Sequence, residues 1–263
     1  MDKRALLLLA TLIVPVAAVF LFVGPYPQPA AYYAFADTRT VFNVPNFCNV
    51  ASNLLFLVFG LAGLKLVLRN RQLHILPASR TAYIVLFAGI ALTAFGSGWF
   101  HLAPRNDTLY WDRLPMTIAF MPLFIVIVGE HISEQLAARL LWPLLAIGVL
   151  SVLWWDHTEA IGAGDLRPYG LVQYLPMLLI PIILFLYPGR FDSTRFYWEA
   201  IGLYGLAKIF EQADAAIYDI GGIVSGHSLK HIAASFVPFV LINGLRKRRY
   251  LSVDASAPSQ TTS

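Results

Sequence analysis

TAYIVLFAGIALTAFGSGWFHL, residues 81–102, carries no Asp, Glu, Lys or Arg along its whole length. A helix needs roughly 20 such residues to cross the hydrocarbon core of a bilayer, so this stretch reads as a membrane span. One end is less uniform. Ser97 and His101 stand four positions apart there and share one helix face. An ionisable group inside a span is costly to bury and usually has a function.

Working outward, seven more apolar blocks fall at 5–23, 47–68, 114–130, 138–155, 169–187, 197–214 and 226–245. The fold expected from them is all-α and integral to the membrane, with eight spans. Composition agrees: 58% of the 263 residues are hydrophobic and 13% charged, about half the charged share of soluble domains, ~25%. The run at 5–23 is longer than a signal-peptide core of about 7–15 residues. It ends in Gly24-Pro-Tyr-Pro27 with no A-x-A-like site behind it, so a retained anchor is expected. Residues 1–250 read as a single transmembrane domain, and the Ser/Thr/Ala-rich 251–263 as a disordered tail.

Charge sets the orientation. With a cytoplasmic N-terminus, the inner segments hold Lys3, Arg4, Arg69, Arg71, Arg80, Arg139, Arg190, Arg195 and the run Arg246 to Arg249. The outer segments hold only Arg39, Arg105, Arg113 and Arg167. The positive-inside rule therefore places both termini in the cytoplasm. The net charge of +4 suits an anionic membrane face rather than nucleic acid, for which no motif is present. A single cysteine, Cys48, rules out an intrachain disulfide and a cysteine-based zinc site.

On that topology the chemically active residues converge on the outer side. Asp112 follows His101 across a polar turn at Pro104-Arg-Asn-Asp107, and a return between adjacent helices can bring the two together. His227-Ser-Leu-Lys-His231 opens the last block. Histidines at i and i+4 project from one face and can hold one metal. With His101 they make three nitrogen ligands, the open form of a catalytic zinc site, in which zinc acidifies the fourth-position water to about pKa 7. Asp112 would orient that water or act as general base, and Ser97 would hydrogen-bond a developing oxyanion. Taken singly, Asp112 reads as a helix N-cap and Ser97 as a packing residue between Gly96 and Gly98. Lys208, Glu211 and Asp214 read first as an internal ion-pair set fixing helix packing, with Lys230 in reach. Trp99, Phe100, Tyr110 and Trp111 read either as a pocket lining or as an interfacial aromatic belt. His74, His131 and His157 sit in loops and read as structural.

SGWFH at 97–101, Asp112 within WDRLPM and HSLKH at 227–231 together resemble the alkaline ceramidase family, closest to its bacterial branch. Asn46-Phe-Cys-Asn-Val-Ala-Ser-Asn53 resembles that family's first core helix. The likeness runs from about Asp37 to Leu245, and its wider superfamily includes the adiponectin and progestin-type receptors. It implies a seven-transmembrane-helix zinc-hydrolase core, with the block at 5–23 as one extra N-terminal helix. It implies zinc on His101, His227 and His231, Ser97 and Asp112 beside the zinc water, and a membrane lipid as substrate. The implied reaction is hydrolysis of ceramide to a sphingoid base and a fatty acid, at a site near the outer leaflet, in a bacterial inner membrane. Two relatives in function stand beside it: a zinc-containing lipid receptor or sensor, which the short tail disfavours, and an ester-cleaving lipid remodeller. A zincin-type protease is excluded because HExxH is absent. One departure concerns calcium. Where the eukaryotic members carry an acidic cluster, this chain has Asp37 beside Arg39, and Asn46 where the family has a glutamate. One carboxylate paired with an arginine is a poor hard-cation cage, so calcium is not expected.

Overall fold

A computed structural model describes residues 2–251. The expected tail therefore lies outside the described residues except for Leu251, whose N–H donates to the Arg190 carbonyl at 3.0 Å. The helices are α1 (Lys3–Phe22), α2 (Phe47–Ala51), α3 (Leu54–Arg69), α4 (Arg80–Leu102), α5 (Asn106–His131), α6 (Glu134–Ala160), α7 (Arg167–Leu186), α8 (Thr194–Gln212), α9 (Asp214–Gly221) and α10 (Gly226–Lys247).

Among the described residues seven spans are long and apolar enough to cross a membrane, with α2 and α3 counted as one. The chain is a multi-pass membrane protein. The eight spans expected from sequence are thus seven by this measure. The block at 197–214 does form a helix, α8, but Arg195, Glu199, Lys208 and Glu211 make it too charged to qualify. The largest boundary change is in α5, which begins at Asn106 rather than near 114. Its first turns are polar, so hydropathy misses them. Arg105 N–H donates to Thr108 Oγ1 at 3.1 Å, a side-chain cap that starts the helix early.

α3, α4, α5, α7, α8 and α10 form a ring, with α6 behind α5 and α7, and α1 riding on the outside of α7. α1 buries none of its residues. Lipid tails are as apolar as leucine, so such helices associate by close packing of small residues. Gly60 meets the Ala91 backbone and Gly63 the Phe87 ring, which seats α3 on α4. The segment 24–46 then crosses one end of the bundle as a cap. Arg167 Nη1 donates to the Val23 carbonyl at 2.9 Å, Leu166 N–H to Tyr26, Asn46 Nδ2 to the His101 carbonyl at 2.8 Å and Arg39 Nη2 to the Ile223 carbonyl at 2.6 Å.

At the opposite end Arg248 is buried. Its Nη1 lies 2.6 Å from Glu130 Oε1 and 3.0 Å from the Tyr83 hydroxyl, and Tyr197 donates to Glu130 Oε2 at 2.7 Å. Arg248 therefore belongs to the core and not to a free basic tail. Arg113, counted above with the outer loops, likewise lies inside α5 and is buried.

Candidate metal centre

Close approach of two helix pairs builds the site. A Cβ on Gly96 would strike the Trp111 carbonyl, so only glycine lets α4 meet α5 at this height. That contact sets Ser97 facing Asp112. Asp112 sits nearly two turns inside α5, so it is not the N-cap of that helix, and its carboxylate borders a cavity. Gly226 does the same for the second pair. A Cβ there would strike the Phe210 carbonyl and the backbone of Asp214, so glycine draws the start of α10 against the end of α8.

These contacts bring His101, His227 and His231 together, all buried, with their ligating nitrogens within 4.8 Å of one another. His227 Nε2 lies 3.3 Å from His101 Nε2, and the three ring centroids are 4.8–4.9 Å apart. Phe35 from the cap covers them, its ring centroid 4.5 Å from His227 and 4.8 Å from His101. Three buried imidazoles this close cannot all be charged, and as neutral rings they are suited to one metal ion.

Neighbouring groups orient the rings. Ser52 Oγ lies 2.9 Å from His231 Nδ1. Because Ser52 also donates to the Asn49 carbonyl at 3.1 Å, its oxygen accepts from Nδ1–H, leaving Nε2 free to face the other two rings. Ser228 between the two histidines donates to Asn49 Oδ1 at 2.7 Å. Asp214 Oδ1 accepts the His227 N–H at 2.7 Å, while Oδ2 accepts the Ala36 N–H at 2.9 Å. One carboxylate thus ties α10 to the cap. The ion-pair set is smaller than expected: Glu211 takes Lys208 at 2.6 Å and Lys230 at 3.0 Å, and Asp214 is not in it.

Asn49, Ser52 and Asn53 were legible only as part of a resemblance. Their physical signal was polar residues at helical spacing inside an otherwise apolar block. Asp37, by contrast, binds Arg39 through both oxygens, at 2.8 and 2.7 Å. His74 and His131 use Nδ1 on the carbonyls of Arg248 and Tyr187. Trp99 and Trp111 are exposed on the outside of the bundle, as a belt would be, while Phe100 is buried against Phe35.

A cavity of about 760 Å³ runs from this cluster down the middle of the ring. Ser97, Asp112, His227 and His231 stand at one end, and Ile127, Tyr197 and Leu241 at the other. His227 to Leu241 is fourteen residues of one helix, about 21 Å at 1.5 Å per residue. The walls between are mostly apolar, with Met116, Phe120, Leu123 and Val237 among them, interrupted by Gln173, Tyr204 and the Lys208–Glu211 pair.

Residues 39–162 match the protein-family model named Ceramidase, the family the sequence resembles. The matched stretch holds Ser97, His101 and Asp112, and the fold supplies His227 and His231 from beyond it. No curated protein matches the chain.

Proposed function

We propose that this protein is a zinc-dependent membrane amidase that hydrolyses the N-acyl bond of ceramide-like lipids to a sphingoid base and a fatty acid. The observation that carries the reading is a buried three-histidine cluster opening, past Asp112 and Ser97, onto a long apolar cavity. The family match over 39–162 supports it.

The donor set fits zinc. Tetrahedral zinc with bonds of about 2.0–2.1 Å puts neighbouring nitrogens about 3.3 Å apart, and the His101–His227 separation is 3.3 Å. His101, His227 and His231 would hold the ion, which supplies a Lewis acid that acidifies water and polarises a carbonyl. Asp112 takes a proton from the attacking water and returns it to the nitrogen as the C–N bond breaks. Ser97 faces the Asp112 carboxylate at rest and swings its one hydroxyl proton toward the charge developing on the carbonyl oxygen. Phe35 and the cap keep bulk water from the histidines.

The acyl chain lies along the cavity, whose volume is within the usual ligand-pocket range of ~300–1,000 Å³. Substrate enters sideways from the bilayer between α7 and α8, where the ring is loosest. α8 acts as the eighth span, since it packs along the length of α10 and turns Lys208 and Glu211 to the cavity. Both termini are then cytoplasmic and the metal lies toward the outer leaflet of a bacterial inner membrane.

Metal analysis of the purified protein tests this reading. The expectation is about one zinc per chain, lost in His231→Ala. Full zinc retention in that variant would falsify the ligand assignment.

A further inference from the structure

Arg113 follows Asp112 in α5 and borders the same cavity, yet the amidase mechanism does not use it. It is 4% exposed. Its guanidinium is clasped between Trp155 and Tyr169, 4.1 and 4.5 Å from the ring centroids, with Tyr32 at 5.7 Å. One of its nitrogens, Nη2, donates to Gln28 Oε1 at 2.5 Å. Nε and Nη1 are buried and have no partner. Among the described residues Arg113 enters no ion pair, whereas the buried Arg248 faces Glu130 at 2.6 Å and the half-buried Arg167 faces Asp165 at 2.8 Å. Glu159 is already used by Gln28 N–H and the Trp155 indole.

A permanently charged guanidinium buried without a counter-ion is unfavourable. Aromatic faces offset part of that cost and a neutral amide little more. The arrangement makes sense if a negative charge arrives with a ligand. We propose that Arg113 seats an anionic headgroup, so that the lipid entering this cavity carries a carboxylate or phosphate at its polar end. Gln28 then acts as a neutral placeholder on the cap. The planar guanidinium, with Nε and Nη1 unpartnered, suits an oxyanion. Trp155 and Tyr169 fix the plane of the fork, and Asp112 on the neighbouring position places the reacting bond one headgroup away. On the amidase reading, which this inference deepens, the favoured substrates are those ceramide-like N-acyl lipids whose polar end carries an acidic group.

The test is equilibrium binding to the full-length protein in neutral detergent, with N-dodecanoylglycine against its methyl ester and dodecyl phosphate against dodecanol. The wild type should bind each acid at least tenfold tighter than its neutral partner. Arg113→Gln should abolish the preference, Arg113→Lys should restore most of it, and Arg105→Gln, on the exposed surface, should leave it unchanged. Equal affinity for acid and ester in the wild type overturns the proposal, and so does a preference that survives in Arg113→Gln. If Arg113→Gln does not fold, the wild-type comparison decides alone. The readout needs no turnover. A protein that cleaves neutral ceramide but ignores the charge refutes the anion seat alone. One that prefers the acids but cleaves nothing refutes the amidase alone.

Discussion

At the scale of single residues, the account divides the polar groups into those that react and those that orient. In the proposed mechanism Asp112 handles the proton, so Asp112→Ala should lower kcat by a factor of about 10²–10⁴, the usual worth of a general base, while zinc content stays near the wild-type value. Wild-type turnover in that variant would remove Asp112 from the mechanism. Ser52 acts only through His231. Its replacement by alanine should weaken zinc binding by about 10–100-fold, as is typical for a group one shell out, and a chelator-competition titration measures it. An unchanged affinity would mean that Ser52 merely packs. The three histidines, Asp112 and Ser97 were legible as a cluster in the sequence because His, Asp and Ser stand out in apolar runs. The hydrogen-bond partners of Asn49, Ser52 and Asp214 were not, because they lie 179, 179 and 13 residues away and nothing local marks the pairing.

At the scale of elements, the cap and the loose seam matter most. Asp37 is buried, and the Arg39 hydrogen bonds hold its carboxyl below the usual carboxylate range against the opposing effect of burial. Stability from a lowered carboxyl pKa is present above the unfolded value of about 3.9 and is lost as pH falls through the lowered one. The melting difference between wild type and Asp37→Asn should therefore be flat from neutral pH to about 5 and shrink in stronger acid. A difference that grew on acidification would contradict the pairing. The seam between α7 and α8 is bridged by Gln173 Nε2 donating to the Tyr204 hydroxyl at 3.3 Å. In a Cys48→Ser background, Gln173→Cys with Tyr204→Cys joined by a short thiol cross-linker should stop turnover, and cleaving the linker should restore it. Turnover through a closed seam would place the entry elsewhere. Element boundaries were readable where hydropathy changes sharply, as at α4. They were misread at α5, whose first two turns mix Asn106, Asp107, Thr108 and Asp112 with aromatic residues, so that hydropathy falls below that of a span.

At the scale of the whole molecule, the hydrophobic runs announced a membrane bundle, but not how it closes. The ring depends on Gly60, Gly63, Gly96 and Gly226, each met by a specific neighbour that no linear pattern identifies. The far end is locked by Arg248 and Glu130; charge counting had placed Arg248 in a basic tail at the membrane face. Removing one member of a buried pair typically costs about 3–5 kcal/mol, so Glu130→Ala should lose most of its folded yield in detergent even though it lies far from the histidines. α8 as an eighth crossing predicts that both termini share one side, which matched reporter fusions at the two ends would show. The central claim is hydrolysis of a lipid N-acyl bond at a three-histidine zinc. Its most direct test is mass-spectrometric detection of fatty acid released by the purified protein from a panel of ceramides, phytoceramides, N-acyl amino lipids and ester lipids. The account predicts release from at least one N-acyl lipid, abolished by chelation, restored by zinc and absent in Asp112→Ala. Cleavage confined to the esters, or release that survives chelation and the Asp112 variant, would contradict it.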